Sequence, residues 1–231
     1  MPTIRLLSAG AVQKMATDFA ADFERDTGNK IELNFATAGV VRDRVAGGEA
    51  VDVVISSQET IGALNKPDFF AGVTNLGETV TCLFNRAGES KPDISTPEKF
   101  KQLLLDAKRF TYSDPSGGGT GGRMFVAVLN KLGIKNEIDR KSVFGKRGIE
   151  LIAIVKDSKA DIGATFVSEV VPHRGVQVID IFPDGLRDTN GYAAGVPANS
   201  AQRDTATAFV KYMTAPSSRA RWTAAGMTPL F

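Results

Sequence analysis

Apolar and polar positions along the chain alternate between two periods. Thr3-Ile-Arg-Leu-Leu7 has the short period of a strand and runs into the small residues Ser8-Ala9-Gly10. From Ala11 to Arg25 the apolar positions Val12, Met15, Phe19, Ala20 and Phe23 recur at helical spacing. The cycle then repeats. A strand over Lys30–Phe35 ends in Ala36-Thr-Ala-Gly39, and a short helix over Val40–Ala46 stops at Gly47-Gly48. A strand over Val51–Ile55 is closed by Ser56-Ser57, with a helix over Gln58–Asn65 behind it. Strand and helix in strict turn predict an α/β protein with a largely parallel sheet.

After Asn65 the alternation loosens. Strands are predicted over Gly77–Asn85, Phe110–Ser113, Asp161–Phe166, Val176–Phe182 and Asn190–Val196. Helices are predicted over Pro97–Ala107, Gly121–Leu132, Gly148–Val155, Ala201–Met213 and Ser217–Ala225, while the polar segment Lys135–Lys141 reads as a loop. A first lobe interrupted by an inserted second lobe accounts for this order, with strands crossing between them. Small ligands are often bound in a cleft between such lobes.

Length and composition narrow the classes. The 231 residues bury a sizeable core, and 42% apolar with 23% charged is ordinary for a globular protein. A net charge of +2 gives no basic face for a nucleic acid, and no apolar run reaches transmembrane length. Cys82 stands alone in a strand-like run and is expected as a buried thiol. The chain enters a strand directly after Met-Pro, without a leader pattern. Either a starting Met has replaced an export signal, or the protein stays in the cytoplasm.

The densest candidate chemistry is Ser113-Asp-Pro-Ser-Gly-Gly-Gly-Thr-Gly-Gly122, between a predicted strand and a predicted helix. It contains G-x-G-x-x-G at Gly117, Gly119 and Gly122, but the acidic partner of a dinucleotide site is missing from the next strand. Glu137 and Asp139 are the nearest acids. Arg123 stands where a phosphate-binding P-loop needs lysine, so a nucleotide cofactor is not expected. What remains is a helix start whose N–H groups and dipole attract a negative group, or else a flexible surface turn. Ser8-Ala9-Gly10-Ala11 and Thr37-Ala38-Gly39 share the design, and Gly145-Lys-Arg-Gly148 opens another helix. Turns converging in this way make a binding site rather than a catalytic one. His173, the single histidine, falls in a turn and reads as a solvated loop residue. One His and one Cys make no zinc pattern, so no metal is expected. Arg42, Arg123 and Arg147 lie just inside helix starts, where each is either a carboxylate clamp or surface charge.

LLSAGAVQKMATDFAADFERDTGNKIELNFATAG, GGEAVDVVISSQETIGAL, YSDPSGGGTGGRMFVAVLNKLG, LIAIVKDSKADIGATFVSEV and the ending AAGMTPL resemble, in order, the periplasmic molybdate-binding proteins of ABC transporters. The resemblance implies a two-lobed type II solute-binding fold, each lobe a mixed sheet flanked by helices, with lobe 1 at 1–81 plus 186–231 and lobe 2 at 82–185. It implies a periplasmic monomer, its export signal removed, that delivers a small anion to an ABC permease by hinge closure near Thr79–Cys82 and Asp184–Tyr192. A cytoplasmic location is the alternative. An enzyme or a ligand-sensing regulatory domain on the same fold is the alternative function.

The ligand side chains implied by the resemblance depart from the family. Ala11 and Ala38 stand where the family has serines, and Phe166 where it has a tyrosine; the backbone contacts fall at Gly121 and near Gly148. Each unreplaced hydrogen bond to a buried oxyanion costs on the order of 1.5–3 kcal/mol. Ser8, Thr37, Ser116 and Thr120 are the hydroxyls placed to compensate, and Arg123 or Arg147 the groups placed to hold carboxylates. The expected binding set is therefore Ser8, Gly10, Ala11, Thr37, Ala38, Gly39, Ser116, Thr120, Gly121, Arg123, Arg147, Gly148 and Phe166. The expected ligand is an organic carboxylate or a tetrahedral oxyanion such as molybdate or tungstate.

Overall fold

The computed structural model describes residues 3–231, so the reading of the Met1-Pro2 start lies outside it. The chain divides into two compact units: residues up to Glu78 together with Asn190–Phe231, and Thr79–Thr189. The sequence expectation places these breaks at 81/82 and 185/186.

The first unit opens with β1 (Thr3–Ala9), a 3-10 turn at Gly10–Val12 and α1 (Gln13–Thr27). The expected helix from Ala11 therefore begins as a tight turn. It ends where Gly28, at φ 74°, takes the left-handed conformation that terminates helices. Next come β2 (Lys30–Ala36), α2 (Ala38–Ala46), β3 (Val53–Ser57) and α3 (Gln58–Leu64). β1 pairs in parallel with both β2 and β3, as the strand–helix alternation predicts. β4 (Phe70–Arg86) passes from this unit into the second; its exposed first half hides its beginning from a hydrophobicity pattern.

The second unit continues with α4 (Pro97–Asp106), β5 (Phe110–Ser113), α5 (Thr120–Leu132), α6 (Lys135–Arg140) and β6 (Ser142–Gly145). There follow α7 (Gly148–Lys156), β7 (Ile162–Phe166), α8 (Val167–Val170) and β8 (Val176–Ile181). β5 lies parallel to β6 and β7, whereas β4 runs antiparallel to β7 and β8, so the sheet is mixed. Successive strand residues face opposite sides of it. Leu83, Phe110, Tyr112 and Ala164 pack with Phe125 and Leu129 of α5 on one side. Cys82 and Phe84 pack with Leu151, Ile152 and Val155 of α7 on the other.

β9 (Thr189–Pro197) returns the chain to the first unit and pairs antiparallel with β3. α9 (Arg203–Met213), a 3-10 turn, α10 (Arg219–Ala224) and β10 (Thr228–Pro229) complete it. Phe23 lies edge-on to Phe209 at 5.3 Å, and Trp222 is fully buried with its indole N–H donating to the Met213 carbonyl at 2.9 Å. No helix among the described residues is long and apolar enough to cross a membrane.

Three segments correct the sequence reading. Lys135–Arg140 is helix α6, not a loop: Ile138, its one apolar residue, is fully buried, too little for periodicity to register. Thr228–Pro229 and Ser142–Gly145 are short strands, and Val143 and Phe144 are exposed at 38% and 43%.

Candidate functional site

In the first unit the two expected helix starts are apolar. Ala11 and Ala38 are buried, and no side chain caps the 3-10 turn at Gly10–Val12. Gly10 and Gly39 border these alanines and are partly buried. The hydroxyls beside them have local partners. Ser8, wholly buried, donates to the Ala9 carbonyl at 3.0 Å, and Thr37 accepts the Val40 N–H at 3.4 Å as the N-cap of α2. Arg42 is exposed and pairs with Asp43 at 2.8 Å.

The second unit gathers more of the expected set around β7. The Phe166 ring lies against the start of α5: a Cβ added to Gly121 would sit 3.3 Å from it. Gly122 is needed for a different reason, since a Cβ there would overlap the Ser113 carbonyl oxygen. Gly118 holds φ 72°, which L side chains rarely adopt. Gly122 thus serves the close approach of α5 to β5. Within the glycine run Ser116 is engaged, its N–H and hydroxyl both bonding Asp114 Oδ1, at 2.9 and 2.7 Å. The first turn of α5 holds no acid. Arg123 is exposed on that turn.

α7 begins differently. The Glu169 carboxylate, from α8, accepts hydrogen bonds from the Gly148 N–H, the Phe166 N–H and the Thr165 hydroxyl. A Cβ on Gly148 would overlap that carboxylate, so glycine is required there. Burial pushes the Glu169 carboxyl above its ordinary value, and the three donors oppose the rise. Glu150, in the first turn, accepts the Lys146 N–H at 2.9 Å and faces Arg147 Nε at 3.5 Å. Arg147 and Gly148 are thus held by acids of the chain itself. Residue typing could not find Glu169, because its role depends on β7 and α7 being neighbours.

Three buried hydroxyls nearby have no hydrogen-bond partner among the described residues: Thr81, Thr120 and Ser168. Thr81 stands opposite Phe166 in the β4–β7 register, and Thr120 precedes Gly121. The Ser168 N–H donates to Thr79 Oγ1 at 3.2 Å, which ties the start of α8 to β4.

Other candidates fall away. Cys82 is fully buried in β4, and burial pushes its thiol well above the ordinary value, so it is no nucleophile at neutral pH. His173 is half-buried in a turn rather than solvated, and burial lowers its proton affinity. Asp139 accepts a hydrogen bond from the Tyr112 hydroxyl and pairs with Lys135. No group of three His, Cys, Asp or Glu residues is placed to hold a metal ion among the described residues.

The family model of bacterial extracellular solute-binding proteins matches residues 4–228. A curated relative is the aconitate isomerase of a Pseudomonas species, 24% identical over 99% of this chain and 88% of its own length. A second is the molybdate-binding protein ModA of Escherichia coli, 23% identical over 92% of this chain and 84% of its own length. Among solved structures, the periplasmic molybdate-binding protein of Azotobacter vinelandii superposes with a TM-score of 0.81 at 16% identity, covering 97% of this chain and 98% of that one. The latter likeness shows a shared fold.

Proposed function

The chain belongs to the bacterial extracellular solute-binding protein family, and we propose that it captures a small carboxylate-bearing organic anion for an ABC permease, without turning it over. The observation that carries the ligand class is the Phe166 ring against Gly121 at the α5 start. It supports an apolar wall beside a helix start free of acids, which suits a carbon skeleton with a terminal negative group. Buried alanine at positions 11 and 38 is consistent with the same wall chemistry. The hydroxyls of Ser8 and Ser116, expected to compensate, already bond within the chain. The relatives are named for aconitate and for molybdate, both small anions.

The mechanism follows from differential affinity. A ligand bound more tightly by one conformation of the protein shifts the population toward that conformation. The proposed site in the second unit is then Gly121, Thr120 and Phe166. Periplasmic placement agrees with the extracellular family description.

A catalytic reading is favoured by one finding, the relative named aconitate isomerase. On that reading Glu169, the partly buried acid that accepts the Phe166 N–H, is the proton carrier. Two measurements separate the readings. In a thermal-shift panel of molybdate, tungstate, sulfate, citrate and both aconitate isomers, carboxylates should stabilise the protein; stabilisation by molybdate and tungstate alone overturns the ligand class. Incubation with either aconitate isomer, followed by chromatography, should return it unchanged; interconversion establishes the catalytic reading.

A further inference from the structure

Buried hydroxyls without partners are rare, because each forfeits the hydrogen bonds it makes with water in the unfolded chain. Here three of them lie on segments that border Phe166 in the second unit. Thr81 is 3% exposed and Ser168 5% exposed, and neither hydroxyl has a partner among the described residues. Thr120 Oγ1 is likewise enclosed and unpartnered. Thr81 faces Phe166 across the β4–β7 pair, Ser168 follows Phe166 by two residues, and Thr120 adjoins the glycine against which the Phe166 ring rests. The same region contains the start of α5, whose first N–H groups lack partners within the helix. Phe166 itself brings no hydroxyl.

We propose that Thr81, Thr120 and Ser168 are the hydroxyl donors to the bound anion, doing around Phe166 the work its own side chain cannot. This rests on the reading of the chain as an anion-binding protein and adds its donor set. A hydroxyl donates to one acceptor at a time, so three of them suit the oxygens of a carboxylate at the acid-free start of α5. Glu169 supports the assignment by exclusion. Its carboxylate already occupies the Gly148 N–H, so the start of α7 is closed to a second negative group.

The proposal has a signature that a purely structural role lacks, a stability change opposite in sign to the affinity change. Thr81→Val, Thr120→Val and Ser168→Ala each remove an unpartnered hydroxyl with little change in shape. The ligand-free variants should melt at or above the wild-type temperature. Affinity for cis-aconitate, or for molybdate where that is the better ligand, should fall about tenfold per hydroxyl in calorimetry. Thr81→Ser keeps the hydroxyl and should restore wild-type affinity. Variants that melt lower and bind as tightly as wild type overturn the proposal, because the hydroxyls then belong to the internal structure. A wild-type protein that binds neither probe overturns the proposed function instead; a raised melting temperature in the ligand-free variants would still mark the hydroxyls as kept for something other than stability.

Discussion

Two helix starts in the second unit meet the same problem with opposite solutions. α7 is closed by the chain: Glu169 takes the Gly148 N–H, and Glu150 takes the Lys146 N–H while facing Arg147. α5 has no acid in its first turn, no side-chain cap, and the unpartnered Thr120 hydroxyl. A helix start left unneutralised beside buried hydroxyls costs stability, and proteins keep such costs where a ligand recovers them. On the proposed reading, the α7 start is closed by the chain and the α5 start is left open to the anion.

The largest expected effect breaks the packing on which α5 depends. Gly122→Ala drives a Cβ into the Ser113 carbonyl and should cost about 3 kcal/mol, the upper end for overpacking. Gly117→Ala, five residues earlier in open space, should change stability by less than about 0.5 kcal/mol. Chemical denaturation of both variants compares them directly, and similar losses would show that the run is not read residue by residue.

Opening α7 comes next. Gly148→Ala displaces the Glu169 carboxylate and should destabilise by about 1–3 kcal/mol, measurable by urea unfolding. A change near zero would mean that the carboxylate does not need this seat.

The pH dependence sharpens the same point. Burial raises the folded-state value of Glu169 above its ordinary 4.5. The folded protein therefore binds that proton more tightly than the unfolded chain. The associated stability is fully present below pH 4.5 and is lost as pH rises through the raised folded value. Wild type should lose stability relative to Glu169→Gln across that interval, as denaturation at a series of pH values would reveal. A constant difference would mean that Glu169 holds its proton no more tightly in the folded protein than in the unfolded chain.

The smallest effects belong to the arginines. Arg147→Ala breaks a partly exposed 3.5 Å pair and should cost no more than about 0.5 kcal/mol, with affinity unchanged. Arg123→Ala should weaken anion binding only severalfold and more at low salt, since it is exposed on the first turn of α5. Calorimetry at two salt concentrations separates the two variants.

Much of the fold was legible in the sequence, because strands such as Lys30–Ala36 and helices such as Thr120–Leu132 carry clean periodicity. α6 was not, since one buried isoleucine among polar residues leaves no period to detect. For the candidate site, the sequence pointed to the start of α5 and to Phe166. It could not reveal Thr81, Ser168 or Glu169, whose surroundings arise from pairing between β4 and β7 and from the neighbourhood of α7 and α8. Nor could it tell that Ser8 and Ser116, both plausible donors by type, already bond within the chain.

The most direct test compares the two helix starts in the wild-type protein through the backbone amides of Gly121 and Gly148, observed by NMR in glycine-labelled protein during titration with cis-aconitate. A saturable shift of the Gly121 resonance is expected, while Gly148, already bonded to Glu169, stays in place. A Gly148 shift equal to or larger than that of Gly121 would contradict that expectation.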